Sequence, residues 1–207
     1  MRSILILFMT LSLNACVTDL ADLSVPNPFA SNPAYTVALT PDIAIELPEN
    51  PWETAQSLEA TQQVTAQWRP QNGQPSTATF LARISAQPGQ VRIAVLDDLG
   101  RRAMTIDWTL DGLNIVKADW VPDALDPERL LGDIVMTYWP DDVVSDVVDQ
   151  SMTVEETMGQ RTIRTNGDGL VFVTIEKPIR DPWQGVATLR NMKLGYTLTI
   201  RSQRLGS

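Results

Sequence analysis

Ala103-Met104-Thr105-Ile106-Asp107-Trp108-Thr109-Leu110-Asp111-Gly112 is the stretch on which the fold turns. Successive side chains of a strand point to opposite faces. Met104, Ile106, Trp108 and Leu110 therefore share one face, and Thr105, Asp107 and Thr109 share the other. Asp111-Gly112 supplies a two-residue hairpin turn, and Leu113 to Ala118 runs back. Upstream, Val91 to Leu96 sets Val91, Ile93 and Val95 against Arg92 and connects forward through Asp97-Asp98-Leu99-Gly100. Before it, Thr77 to Ala86 opposes Phe80, Ala82 and Ile84 to Leu81, Arg83 and Ser85, and Pro88-Gly89 makes the turn. Gln63 to Arg69, closed by Pro70 and Asn72-Gly73, is the first strand of this run. Glu53 to Ala60 has the composition of a short polar helix.

Downstream the period changes. Asp126-Pro127-Glu128 reads as N-cap, N1 proline and first-turn acid. Leu130, Leu131, Ile134, Val135 and Tyr138 follow at helical spacing. Pro140 ends this helix and opens a second, with Val143, Val144, Val147 and Val148 on one side and Asp141, Asp142, Asp146 and Asp149 on the other. Five more strands close the chain: Met152 to Glu156, Arg161 to Thr165, Leu170 to Ile175, Val186 to Met192 and Tyr196 to Ser202. The expected domain, residues 52–207, is mainly β with inserted helices. Its ten short antiparallel strands form a strongly curved sheet or half-open barrel.

The amino-terminal end carries a different message. Arg2, the apolar run Ile4 to Met9 and a small residue at Ala15 describe a secretory signal over residues 1–15. The run is shorter than the ~20 residues a bilayer span needs. Leu13-Asn14-Ala15-Cys16 resembles a bacterial lipobox, and Cys16 is the only cysteine of the 207 residues. Lipidation of Cys16 is expected, with a periplasmic location at the outer membrane because Val17, not Asp, follows it. Residues 16–51, with Pro26, Pro28, Pro33, Pro41, Pro48 and Pro51, read as lipidated cysteine and tether. Within them Val37-Ala38-Leu39 and Ile43-Ala44-Ile45 are apolar islands suited to dock as edge segments.

Composition narrows the chemistry. The formal charge is −9, so no electrostatic footprint for nucleic acid exists. Membrane attachment must then come from acyl chains. The chain has no histidine, which removes the commonest general base and metal ligand. No serine sits in a Gly-x-Ser-x-Gly setting. The acidic pairs Asp97-Asp98, Asp141-Asp142 and Glu155-Glu156 read as solvated caps and edges, and Asn166-Gly167-Asp168-Gly169 as a turn. Arg161 with Arg164, and Arg101 with Arg102, suit either an anionic head group or ordinary strand edges. No enzyme activity, cofactor or metal site is expected.

Two resemblances add to this. The block from Val91 to Pro140, with Leu99-Gly100-Arg101, Asp126-Pro127-Glu128-Arg129-Leu130-Leu131-Gly132-Asp133 and Tyr138-Trp139-Pro140, resembles an uncharacterised proteobacterial lipoprotein family of unknown function. Asn191 and Gly195-Tyr196-Thr197-Leu198 fit the same family, whose members are often encoded beside genes for aryl polyene lipids. The element order is similar to that of the outer-membrane lipoprotein receptor LolB and its carrier LolA. That likeness implies an apolar residue protruding toward membrane or partner, here Leu99; the other conformation open to Leu99 folds it back over its own hairpin.

Two arrangements satisfy the apolar wall. In one, Phe80, Ile84, Ile93, Val95, Met104, Ile106, Trp108 and Leu198 line a cavity for a hydrophobic, lipid-like ligand, with the helices from Asp126 as a lid. In the other the core is filled, and the protein is an envelope assembly or interaction factor that docks on a partner protein through an edge strand.

Overall fold

The structure, a computed structural model, describes residues 35–206 apart from 41, 70–72, 123–124 and 149. The expected signal peptide and Cys16 lie outside the described residues. Twelve strands and two helices follow in order: β1 (Thr36–Thr40), β2 (Ile43–Glu46), β3 (Leu58–Trp68), β4 (Ser76–Gln87), β5 (Gln90–Leu96), β6 (Arg102–Thr109), β7 (Gly112–Lys117), α1 (Pro127–Tyr138), α2 (Asp141–Val147), β8 (Met152–Thr157), β9 (Gln160–Thr165), β10 (Val171–Glu176), β11 (Gly185–Asn191) and β12 (Tyr196–Arg204).

Ten of these strands form one antiparallel sheet in the order β7-β6-β5-β4-β3-β12-β11-β10-β9-β8. Each half is a meander of sequential hairpins, and the halves join where β12 pairs with β3 from Tyr196↔Trp68 to Arg204↔Ala60. The sheet is not closed into a barrel; β7 and β8 are its edges. It is nonetheless strongly bent. Trp139 stacks on Trp108 of β6, with ring centroids 5.9 Å apart. The carbonyl of Trp139 also accepts a hydrogen bond from Arg161 Nη2 of β9 at 2.9 Å. Seven strand spacings separate β6 from β9, about 34 Å if the sheet were flat. One residue cannot bridge that, so the sheet wraps around it.

Local chemistry sets the helix that fills the hollow. Asp126 accepts from the N–H of Glu128 and Arg129, Pro127 occupies the first turn, and α1 stops at Trp139, before Pro140. Residues Leu131 to Tyr138 are all buried. A helix buried all round needs cover on both sides. The sheet provides one side and the β1–β2 hairpin the other.

The two apolar islands of the proline-rich region thus pair with each other over α1, not with a sheet edge. Val37, Leu39, Ile45 and Leu47 are buried. A Cβ on Gly132 would meet Leu39 Cδ2 at 2.6 Å and Val37 Cγ1 at 3.7 Å, so glycine is what lets hairpin and helix touch.

Two local expectations differ from the structure. Residues 53–57 are not helical, and β3 begins at Leu58 instead of Gln63. Leu58, Ala60, Gln62 and Val64 are buried in alternation, which is a strand pattern. Gln62 hides that pattern in the sequence because it is polar; in the fold its Nε2 donates to Ser202 Oγ at 3.1 Å.

Candidate functional site

The apolar wall forms as read. Ile84, Ile93 and Ile106 stand in register across β4, β5 and β6, flanked by the row of Ala82, Val95 and Met104 and the row of Ala86, Val91 and Trp108. Phe80, Ile84, Ile93, Val95, Met104, Ile106 and Trp108 are each at most 8 % exposed. Leu198, on β12, is partly buried against the same cluster. A void wide enough for an acyl chain would leave these side chains accessible, so the hollow is packed in this conformation. Seven of the eight residues are core, and Leu198 sits at its margin.

Polar contacts hold α1 in place. Arg161 is fully buried; it donates to the carbonyls of Met136 and Trp139, to Glu156 at 2.8 Å and to Asp141 at 2.5 Å. It therefore fixes the α1–α2 junction and does not face a head group. Arg164 is the more exposed member of the pair, 3.7 Å from Glu155. Tyr138 Oη meets Ser202 Oγ at 2.9 Å, and burial pushes this phenol up to about 12. Tyr196 Oη donates to both carboxylate oxygens of Asp133 at 2.9 Å. Burial raises Asp133 to about 7 against the pull of Tyr196 and Arg129.

Leu99 protrudes. It is 77 % exposed, because Asp97 gathers the turn beneath it. The Asp97 carboxylate accepts from the N–H of Leu99 at 3.0 Å, the N–H of Arg101 at 2.8 Å and Arg101 Nε at 2.7 Å. The Arg101 guanidinium lies 4.3 Å over the ring of the half-exposed Trp120. Asp168 likewise serves its own turn, accepting from Thr165 Oγ1 and the N–H of Leu170. Arg102 is exposed.

An accessible feature lies elsewhere. A cleft of about 460 Å³ opens at the end of α1, walled by Trp52, Tyr138, Trp139 and Trp183 together with Pro140 and Pro182. Trp52 meets Trp139 edge-on at 5.6 Å and 84°, and Trp183 at 6.2 Å and 68°. Tyr138 stacks on Trp183 at 4.1 Å. Such aromatic pairs fix one another's orientation. Trp52 Nε1 donates to the carbonyl of Gln56 at 2.9 Å, which locks the outermost ring. Glu53, Asp142 and Arg204 are the charged residues of the lining. Arg204 is committed to Asp181 by two contacts, at 2.9 and 3.1 Å.

No spacing rule joins these rings, since they come from the loop before β3, the end of α1 and the β10–β11 connection. The available signal was compositional: Pro51-Trp52, Trp139-Pro140 and Pro182-Trp183 are the three tryptophans bonded directly to a proline. A ring beside proline sits on non-ladder backbone; of the three, Trp52 is partly exposed, and Trp139 and Trp183 are buried.

Fold and site together define an open antiparallel sheet wrapped on a buried helix, with an aromatic cleft at one end. Residues 59–204 match the model of the family described as "Protein of unknown function (DUF3261)", and the chain belongs to that family. No curated protein matches the chain.

Proposed function

We propose that this protein is a non-catalytic interaction module of the cell envelope, held at the periplasmic face of the outer membrane by acyl chains on Cys16. One observation carries the reading: the wall that would hold a lipid is buried along β4, β5 and β6, while a cleft at the end of α1 leaves Trp52, Glu53 and Asp142 accessible at its rim. Clefts of a few hundred Å³ that combine aromatic walls with placed polar groups, as Asn50, Glu53, Thr54 and Asp142 are here, are a common form of binding site. The lipobox at Leu13–Cys16 supports the anchor. The test is crosslinking in the envelope from a photoreactive residue at position 53 or 142. A discrete partner adduct is expected, and its absence would sink the reading.

A second reading has its own observation. Trp139 touches both the cleft and Trp108 of the wall, so the cleft marks where an acyl or polyene chain would enter if α1 lifted as a lid. The element order resembles that of LolA and LolB, and a bent, unclosed sheet with helices across it fits lipid carriage. Delipidated full-length protein should then take up N-phenyl-1-naphthylamine in a saturable way; a packed hollow takes up none.

A further inference from the structure

We propose that this protein pairs with a second copy of itself through β7, an edge of its sheet, so that the two sheets continue into one. The inference goes beyond the cleft and does not rest on it. The hairpin decides which groups the edge offers. The N–H of Ala118 donates to the carbonyl of Ala103 at 2.9 Å, which makes these two a hydrogen-bonded pair. Such pairs alternate along an antiparallel ladder, so Val116, Asn114 and Gly112 bond to Thr105, Asp107 and Thr109 of β6. The N–H and C=O groups of Leu113, Ile115 and Lys117 therefore point away from β6. Among the described residues, no backbone hydrogen bond from a turn or loop reaches Leu113 or Ile115. The opposite edge is guarded: β8 carries Glu155 and Glu156, α2 packs against it, and Ile45 bridges to Val148 just before it. Charges and prolines are the usual guards of an edge. β7 has no acid and no proline, and its one charge, Lys117, stands at its end.

A second copy is the occupant because β7 is complementary to itself at one register. Outward-pointing groups must meet outward-pointing groups, so an antiparallel β7–β7 pair can shift only in steps of two residues. With Asn114 facing Asn114 of the other copy, Leu113 faces Ile115 and Lys117 faces Asp111, each twice by symmetry. Leu113 and Ile115 are partly buried members of the core cluster, so each has apolar area left to cover, and Asp111 is exposed. Apolar pairs and opposite charges across strands stabilise such a ladder. A step one way sets Lys117 against Leu113 and brings Asp111 toward Asp119; a step the other way sets Asp111 against Ile115. The ends match too. Antiparallel pairing brings Leu110, 48 % exposed, to the end of the other β7 beyond which Trp120 stands, 45 % exposed. Two chains of formal charge −9 repel, but that repulsion is screened beyond about 8 Å at physiological salt, which leaves the contacts of the edge to decide.

The experiment uses the full mature chain, residues 16–207, with Cys16→Ala so that neither lipid nor another thiol is present. Sedimentation equilibrium should show a reversible dimer at about 100 µM, the weak range of a small interface. Ile115→Pro should abolish it and keep the fold, because the Ile115 N–H serves no bond to β6 and an edge strand tolerates proline there. Lys117→Asp and Asp111→Lys should each weaken association at least about threefold, and the two together should restore it. Asn114→Cys should form a disulfide dimer under mild oxidation, since facing residues of a non-hydrogen-bonded pair lie about 4.5 Å apart at Cα. Val116→Cys, which faces Gly112, should not. The proposal is overturned if the chain stays monomeric at that concentration, if Ile115→Pro dimerises as the parent does, if the charge exchange fails to restore association, or if Val116→Cys crosslinks as readily as Asn114→Cys. A monomeric chain that still gives an envelope adduct from position 53 or 142 would keep the interaction-module reading and remove this one.

Discussion

The hollow under α1 and the cleft at its end share aromatic material, and the cleft alone ends in a partly exposed ring, Trp52, with charged residues at its rim. Both are aromatic and aliphatic, and both meet at Trp139. The hollow is lined by strand residues at period two, buried in one hydrophobic cluster with residues of α1 and of the β1–β2 hairpin. The cleft is lined by rings on loops and helix ends; Tyr138, Trp139 and Trp183 are buried there, and Trp52 is the ring left partly exposed. An apolar stripe on a strand is thus a statement about packing. A ring held by its own local bond on irregular backbone, as Trp52 is, can stay partly exposed.

The contrast can be broken most forcefully from the hollow side. Arg161→Ala removes the buried cation that holds the ends of α1 and α2 and leaves Glu156 and Asp141 without it. We expect a loss of about 3–5 kcal/mol in urea unfolding. Trp108→Ala, which opens a cavity beneath Trp139, should cost about as much, whereas Trp52→Ala should cost clearly less because Trp52 is only half-buried.

Asp133 gives a pH signature to the hollow. Its folded pKa of about 7 stands above its ordinary value of 3.8, so between these limits the folded state holds more protons than the unfolded chain. Stability must then fall as pH rises through that window and level off above about 7, by up to ~4 kcal/mol in total. Asp133→Asn should flatten the curve in chemical unfolding followed from pH 4 to 8. A wild-type curve without that decline would remove the buried-carboxylate account.

Gly132→Ala sharpens the role of the hairpin. Alanine is the better helix former by about 1 kcal/mol, yet its Cβ would press Leu39, and overpacking costs about 1–3 kcal/mol. A net loss is expected in thermal unfolding. A gain would mean that the hairpin gives way easily. Leu99→Ser should change stability by less than about 0.5 kcal/mol, since this side chain touches little.

How much of this was legible beforehand depends on how local the cause was. The ten sheet strands, their hairpins and the capped start of α1 were readable because alternation, Asp-Gly turns and an Asp-Pro cap act within a few residues. The β1–β2 cover was not, because its partner is a helix about ninety residues away and Pro41 interrupts its pattern. Gln62 concealed the first half of β3. Arg161 read as a surface charge, for its burial depends on two carbonyls at the end of α1. The wall residues were placed together correctly, but whether anything filled the space before them was a question of tertiary volume. The cleft lay beyond periodicity altogether, and only its proline-flanked tryptophans hinted at it.

Two methionines on one chain test the sealed hollow most directly. Met104 is 1 % exposed and Met158 is 88 % exposed. With dilute peroxide and peptide mass spectrometry of the folded protein, Met158 should oxidise as free methionine does, and Met104 at a rate at least about a hundredfold lower, unchanged by added lipid. Oxidation of Met104 at a rate near that of Met158 would contradict the packed hollow and return the wall to the role of a ligand cavity.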